Sequence, residues 1–235
     1  MQIFYVPDLI RDNNCLNEAE SHHAIKVMRL QNGDKINLVD GKGTFYKAII
    51  SDAHPKHTQI EIEETLPAFE KRPYELHIAI SPLKNTDRFE WFLEKATEIG
   101  IDRITPIICK RTEKKGFNAE RAHRIVESAM KQSLKAYCPV IDAPIPFTEF
   151  MKQENNDVKL IAYCEGERKP INEVYTPTQN TTILIGPEGD FTEEEVETGK
   201  HKGYIPITLG NSRLRTETAG IVACHSVFYI NNFVG

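Results

Sequence analysis

The residues best suited to chemistry sit in two glycine-bearing stretches. The first runs Ile183-Leu184-Ile185-Gly186-Pro187-Glu188-Gly189-Asp190-Phe191 and continues into Thr192-Glu193-Glu194-Glu195. It reads as a buried strand, a tight turn and a helix start, with Thr192 and Glu195 spaced for a capping box. Such a turn usually cradles a phosphate through free backbone N–H groups and the positive end of the helix dipole. Here five carboxylates fall within residues 188–195. They satisfy the dipole themselves and repel an incoming anion. Neither G-x-G-x-x-G nor G-x-x-x-x-G-K-[ST] occurs in the chain. A ligand here is expected to be neutral or cationic and bonded through main-chain groups. A structural turn before a capped helix is the plain alternative.

The second stretch strengthens the case for a ligand. Ile205-Pro206-Ile207-Thr208-Leu209 reads as another strand ending in glycine, and Gly210-Asn211-Ser212-Arg213-Leu214-Arg215-Thr216-Glu217-Thr218-Ala219 leads into the last helix. Two strand ends of one parallel sheet, each with glycine at its carboxyl edge, are where open α/β folds build ligand sites. Arg213 and Arg215 beside Glu217 add polar groups, for which pairing within the loop is the alternative reading.

The elements that must position these turns change character along the chain. Residues 1–70 look β-rich: Lys35–Val39, Thr44–Ile50 and Thr58–Glu63 alternate polar and apolar, and Asp40-Gly41-Lys42-Gly43 signals a hairpin between the first two. A short helix is expected over Glu18–Leu30, and the strands suggest a small β-barrel. Leu66–Pro73 is the best linker. Beyond it, strands are expected at Glu75–Ile80, Ile104–Cys109, Val140–Asp142, Lys159–Tyr163, Thr182–Ile185 and Ile205–Leu209. Helices are expected at Asp87–Ile99, Ala119–Ala136, Phe147–Gln153, Thr192–Lys200 and Thr216–Ile230. That alternation specifies an α/β domain over residues 73–235. Asp87 can cap the first of these helices, whose apolar stripe is Phe89, Phe92, Leu93, Ala96 and Ile99. Trp91 points off that stripe, toward a subunit interface or toward its own domain's loops.

Composition narrows the class. The chain of 235 residues is 40% hydrophobic and 27% charged, as in soluble globular proteins. No apolar run approaches the ~20 residues of a membrane span. Residues Met1–Asp8 lack the pattern of a signal peptide. Five scattered cysteines without a C-x-x-C pair argue against a zinc site and a disulfide framework, so a reducing cytoplasm and no metal are expected. The net charge is −5, yet Arg103–Lys135 holds nine Lys/Arg against three Glu. That stripe is either a footprint for a polyanion or a solvated helix face.

The pair "IGPEGDFT" and "LGNSRLRTETAG" resembles the cofactor-binding motifs of bacterial small-subunit (16S) ribosomal RNA uridine N3-methyltransferases, members of the SPOUT superfamily of trefoil-knotted enzymes. The likeness covers the whole chain. Lys84, Asp87-Arg88-Phe89-Glu90 and Lys95-Ala96-Thr97-Glu98-Ile99-Gly100 match one family run. Pro106 with Lys110-Arg111 matches the next strand. Gln132-Ser133 matches a Q-S motif, and His22/His23 with Met28-Arg29-Leu30 and Gly33-Asp34 match the N-terminal domain. Two positions depart from the pattern: Asp190 stands where the family usually has a second glycine, and Lys135 lies one step beyond the family's basic residue.

The resemblance implies a knotted SPOUT methyltransferase domain at 73–235 behind a PUA-like RNA-binding barrel at 1–70. It implies S-adenosylmethionine as cofactor, whose positive sulfonium suits an acid-rich turn. Cofactor contacts carry over to Leu184, Ile185, Gly186, Pro187, Glu188, Gly189, Leu209, Gly210, Leu214, Arg215, Thr216, Glu217, Thr218 and Ala219. Glu98 and Glu217 become candidate bases for the N3 proton, although Glu98 also reads as a helix-surface residue. Arg111 and Arg215 become candidates to stabilise the uracil anion. Phosphate or RNA contacts are expected from Arg29, Lys84, Arg111, Lys131, Gln132 and Lys135. The implied partners are 16S ribosomal RNA in the small subunit and a second copy of the chain as a homodimer. A non-catalytic RNA-binding or ribosome-assembly factor is the alternative, disfavoured by intact glycine and RTET residues. A Rossmann oxidoreductase lacks its fingerprint.

Overall fold

The computed structural model describes residues 3–9, 13–113, 116–155 and 157–234. Lys114 and Lys115 of the basic stripe lie outside them. The chain divides into two compact units, one of residues 1–71 with 127–138 and one of 72–126 with 139–235.

In the first unit, β1 (Ile3–Tyr5), β2 (Lys35–Val39), β3 (Phe45–Asp52) and β4 (Gln59–Leu66) form one mixed sheet in that order. The alternating strands β2, β3 and β4 pair antiparallel. β1 lies parallel to β2 and is too short for alternation to reveal. The hairpin expected at Asp40–Gly43 is an aspartate-anchored turn: Asp40 Oδ1 accepts from the N–H groups of Lys42 (2.7 Å) and Thr44 (2.9 Å). The expected helix becomes α1 (Glu18–His22), capped by Asn17, and continues as a π-helical turn over His23–Val27. Phe4, Leu16, Ala24, Leu38 and Ile50 form the core of this unit. Met130 and Ala136 join Ile3, Val39 and Phe45 in a second cluster. Lys131 Nζ donates to the buried Glu20 carboxylate at 2.6 Å, whose other oxygen has no partner among the described residues.

The second unit alternates strands and helices: β5 (Leu76–Ile80), α2 (Thr86–Ile99), β6 (Arg103–Ile108), α3 (Ala119–Gln132), β7 (Val140–Ile141), β8 (Ile145–Pro146), α4 (Phe147–Phe150), β9 (Val158–Ala162), β10 (Lys169–Pro170), α5 (Ile171–Val174), β11 (Thr181–Ile185), α6 (Glu193–His201), β12 (Ile205–Thr208) and α7 (Thr216–Phe233). Of these, β8, β10 and α5 are added to the expected elements, and the end of α3 belongs to the first unit. Its strands run β10-β12-β9-β11-β5-β6-β7, with β8 also beside β6, and every pairing is parallel. β11 is buried along its whole length, as a central strand covered on both faces must be.

Several helix boundaries differ from expectation, α7 for one running to Phe233 instead of Ile230. α2 is capped by Asn85, whose side chain accepts from the Asp87 N–H, and not by Asp87. α3 ends at Gln132 instead of Ala136, because Leu134 adopts a left-handed φ of 60°. The Lys135 N–H then bonds Met130 O and the Leu134 N–H bonds Lys131 O, a Schellman closure made without the usual glycine. α4 stops at Phe150, short of Gln153. Helix α7 packs closely on α2: a Cβ on Gly220 would meet Phe92 at 2.6 Å, so glycine is required there.

Inside the second unit, a partly buried polar chain links neighbouring strands. The Thr105 hydroxyl donates to Asp142, so His77 Nε2 must be the donor in its 2.7 Å bond to Thr105 Oγ1. Arg103 holds Asp142 from the other side at 2.7 Å. Burial, aided by the Arg103 charge, pushes the His77 imidazole down to about 4.

Two outcomes follow. The unfolded chain takes up a proton at His77 between its ordinary value of 6.5 and about 4, while the folded chain does not. Stability is therefore present above pH 6.5 and falls as the pH drops toward 4, by roughly 2–3 kcal/mol. Denaturant titrations across this range should show the slope reduced in His77→Asn; an unchanged slope would remove His77 as its source. In the first unit, Lys131→Met strands the Glu20 carboxylate and should lower stability by about 1–3 kcal/mol. Adding Glu20→Gln should recover most of that loss in the same melt, and a purely additive double variant would contradict the coupling.

Candidate active site

The glycine turn begins where β11 ends. A side chain on Gly186 would press on Phe191 at 3.0–3.1 Å, which keeps the backbone of the turn close to the buried ring. The Asp190 N–H donates to Pro187 O at 2.8 Å and closes the turn. Thr192 then caps α6 in a full capping box with Glu195. Glu195 is buried; its Oε1 also accepts from the Lys110 N–H at 2.8 Å, tying the loop after β6 to the helix start. The acidic run is thus partly structural. Glu195 and Asp190 bind main-chain N–H groups, and Glu194 pairs with Lys110 at 3.3 Å.

The second stretch meets the first directly. Gly210 holds a φ of 130°, a conformation suited to glycine, as the chain leaves β12. Arg215 occupies the N-cap of α7, and the buried Thr216 hydroxyl donates to Gly186 O at 3.0 Å. Arg111 reaches the same turn from the loop after β6, with Nη1 donating to Gly189 O at 2.6 Å.

These loops enclose a cavity of about 920 Å³ at the carboxyl edge of the sheet. Of the expected cofactor residues, Ile185, Gly186, Pro187, Glu188, Gly189, Leu209, Gly210, Leu214, Arg215, Thr216 and Ala219 line it. Leu184 does not; its side chain is in the core with Ala79 and Phe191. Glu217 and Thr218 are also off the lining. Reading the sequence missed the third wall, Tyr163 to Glu165 with Arg168, which follows β9. Its signal was present: a charged loop containing Gly166 directly after a strand. Five carboxylates line the cavity (Glu165, Glu188, Asp190, Glu193 and Glu194), and so do five cations (Lys110, Arg111, Arg168, Arg213 and Arg215). The acidity of the turn is therefore balanced across the cavity by residues remote in sequence.

The expected catalytic residues separate. Arg111 and Arg215 line the cavity. Glu98 lies in the last turn of α2, the end that leads back to the start of β6, with its carboxylate bonded to Lys95 Nζ at 2.9 and 3.1 Å. The structure does not bring it to the cavity, because α2 runs from the carboxyl edge of the sheet to the opposite one. Glu217 is buried in the first turn of α7; Arg88 Nε stands 3.8 Å from Oε1, and Oε2 has no partner among the described residues.

The expected RNA contacts fall in both units. Arg29 is exposed at a φ of 60°, and Gln132 is exposed at the end of α3. Lys84 pairs with Glu113 at 3.1 Å. Lys131 is held by Glu20, as described above, so it is not a free phosphate ligand. Lys135 is half-buried. The basic stripe as a whole is largely paired: Arg103 with Asp142, Lys110 with Glu194, Arg121 with Glu90 and Arg124 with Glu120. Among the described residues, no group of three or more His, Cys, Asp or Glu is placed to hold a metal ion, and no helix is long and apolar enough to cross a membrane.

Comparison with known proteins gives this geometry a family. Residues 70–228 match the model of an RNA methyltransferase domain, and residues 16–63 match that of an RNA methyltransferase PUA domain. The ribosomal RNA small subunit methyltransferase E of Rickettsia conorii is 30% identical over 232 residues, covering 95% of this chain and 93% of its own length. The crystal structure of a probable rRNA-methyltransferase from Porphyromonas gingivalis superposes with a TM-score of 0.94 at 39% identity, over 100% of both chains. The ribosomal RNA small subunit methyltransferase E of Neisseria gonorrhoeae, solved bound to S-adenosyl methionine, superposes with a TM-score of 0.87 at 26% identity over 98% of both chains. The parallel sheet with its glycine turns is a SPOUT-type methyltransferase domain, and the mixed sheet before it is PUA-like. The chain belongs to the RNA methyltransferase family.

Proposed function

We propose that this protein transfers the methyl group of S-adenosylmethionine to N3 of one specific uridine in 16S ribosomal RNA. The observation that carries the reading is the bond from Thr216 to Gly186, which joins the two motif segments as walls of one cavity. A volume of about 920 Å³ suits a ligand of cofactor size. Its lining offers main-chain groups of Gly186–Gly189 and apolar contacts from Leu209, Leu214 and Ala219. The Neisseria gonorrhoeae relative, similar over nearly the whole chain, binds S-adenosyl methionine.

When bound, S-adenosylmethionine supplies a methyl group on a positively charged sulfur. The roles assigned to the chain's own residues are these. Gly186–Gly189 and Gly210 present backbone N–H and C=O groups to the cofactor. Arg111 holds the turn by bonding Gly189 O. Arg215, exposed at the N-cap of α7, stabilises the negative charge that develops on the uracil as N3 gives up its proton to solvent water and takes the methyl group from the sulfur. Glu217 lies buried beneath that turn and orients it together with Arg88. Arg29, Lys84, Gln132 and Lys135 contact RNA, and a ribosomal substrate puts the enzyme in the cytoplasm.

The enzyme acts as a homodimer. Trp91 on α2 is 45% exposed, and Tyr229 and Phe233 on α7 are 50% and 68% exposed, with ring centroids 5.4 Å apart. Aromatic surface left in water on two packed helices suits a second copy of the chain.

Transfer of labelled methyl from S-adenosylmethionine to unmodified small-subunit RNA, free and in assembled subunits, tests the reading directly. The expected product is N3-methyluridine, identified by mass spectrometry of the nucleosides. Cofactor binding without transfer to either substrate would exclude this RNA target, and neither binding nor transfer would favour the assembly-factor alternative. Arg215→Ala should lower kcat about 10²–10³-fold with cofactor affinity retained; an unaltered kcat would remove it from the reaction. Sedimentation equilibrium at micromolar concentration should report a dimer, with Tyr229→Glu and Phe233→Glu shifting it to monomer. A monomeric wild-type chain would overturn the assembly.

A further inference from the structure

Asp190 occupies a left-handed backbone position, with φ of 63°. Glycine adopts that conformation freely; an aspartate adopts it where its short side chain can bond locally. Here the carboxylate bonds in two directions. Oδ1 accepts from the Phe191 N–H at 2.8 Å, within the turn itself. Oδ2 accepts from the Cys164 N–H at 3.0 Å, 26 residues earlier, in the loop that follows β9. On its other side the same turn is held by Arg111, from the loop after β6, through Gly189 O at 2.6 Å. Side-chain atoms of Arg111 also lie 3.3 Å from where a Cβ on Gly189 would stand. The glycine turn is thereby bridged to the loops after β6 and β9. Residues of all three loops line the cavity, Arg111, Cys164 and Asp190 among them.

We infer that Asp190 is a positioning residue of the cofactor cavity: its carboxylate locks the glycine turn to the Cys164 loop and orients the main chain of residues 186–189 before a ligand arrives. The inference rests on the reading of this cavity as the S-adenosylmethionine site. A turn ordered in advance loses little freedom on binding, so the tie acts on affinity and not on the chemical step. Both accepted bonds come from main-chain N–H groups to an ionised oxygen, the stronger class of hydrogen bond. An amide in its place offers one acceptor oxygen and can keep only one of them. Glycine in its place keeps the backbone conformation and loses both.

Asp190→Gly and Asp190→Asn separate these contributions. S-adenosylmethionine affinity is measured by calorimetry and kcat at saturating cofactor, alongside the melting temperature. Amide hydrogen exchange at Cys164 and Phe191 is followed in the cofactor-free chain. Asp190→Gly should weaken binding about tenfold, the worth of the bond that ties the turn to the Cys164 loop. It should also remove the protection of the Cys164 amide, with the loss in cofactor affinity exceeding any loss in kcat. Asp190→Asn should fall between it and the wild type. The inference is overturned if Asp190→Gly binds the cofactor as tightly as the wild type. It is equally overturned if the Cys164 amide stays protected in that variant, or if only the melting temperature falls. A wild-type chain that binds no S-adenosylmethionine would remove the cofactor reading, and Cys164 exchange would still report whether the tie exists.

Discussion

The register of the central strands is the constraint on which the site depends. β11 pairs with β5 and β9 so that Ile185 stands opposite Ile80 on one side and Ala162 on the other. β12 joins β9 with Ile207 opposite Ala162. Parallel strands brought level at one edge release their connections there, so segments beginning near residues 109, 163, 186 and 208 become walls of one cavity. The register itself is strongly specified. All five residues of β11 are buried, and a slip of one position would exchange the two faces it packs against.

Level strand ends leave many backbone groups outside the sheet ladder, and the polar side chains at this edge are largely occupied with them. Thr216 donates to Gly186 O, Arg111 donates to Gly189 O, Glu195 accepts from the Lys110 N–H, and Asp190 accepts from the Cys164 N–H. Each bond joins segments that follow different strands. Loops without regular structure are thereby held to one another. The close contact of Gly220 with Phe92 then lets α7 lie directly on α2, bringing the start of α7 against the glycine turn.

Charge behaves similarly. A protein with a net charge of −5 that belongs to an RNA methyltransferase family must present cations locally. Along Arg103–Lys135 most described cations already face carboxylates, Arg124 one within the stripe and the others ones from elsewhere in the chain, and several of these pairs are exposed. Exposed pairs contribute little to stability. Exchanging such a carboxylate for a phosphate oxygen therefore costs little. Lys131 is different, because its partner Glu20 is buried and cannot be left behind without penalty.

Much of this molecule was legible in its sequence because the signals are local. Alternation marked β2 to β4, the strand–helix grammar marked β5, β6, β7, β9, β11 and β12 but not the two-residue strands β8 and β10, and Thr192 with Glu195 marked the start of α6 within a residue. The two glycine stretches could be found for the same reason: each is a strand end, a turn and a helix start within about a dozen residues. Leu134, left-handed without being glycine, hid the end of α3, and three residues were too few to reveal β1. Which charged residues reach the cavity was decided only in three dimensions. Glu98 and Arg111 were both candidates for chemistry, Glu98 also reading as a helix-surface residue; an antiparallel helix carries Glu98 to the far edge of the sheet, while a short loop keeps Arg111 at the near one. The Cys164 wall, most of the pairing of the basic stripe and the bond from Asp190 to Cys164 join residues far apart in the chain. Local spacing determined the elements and the turns; long-range register determined what those turns face, because a parallel sheet aligns strand ends without regard to their order in sequence.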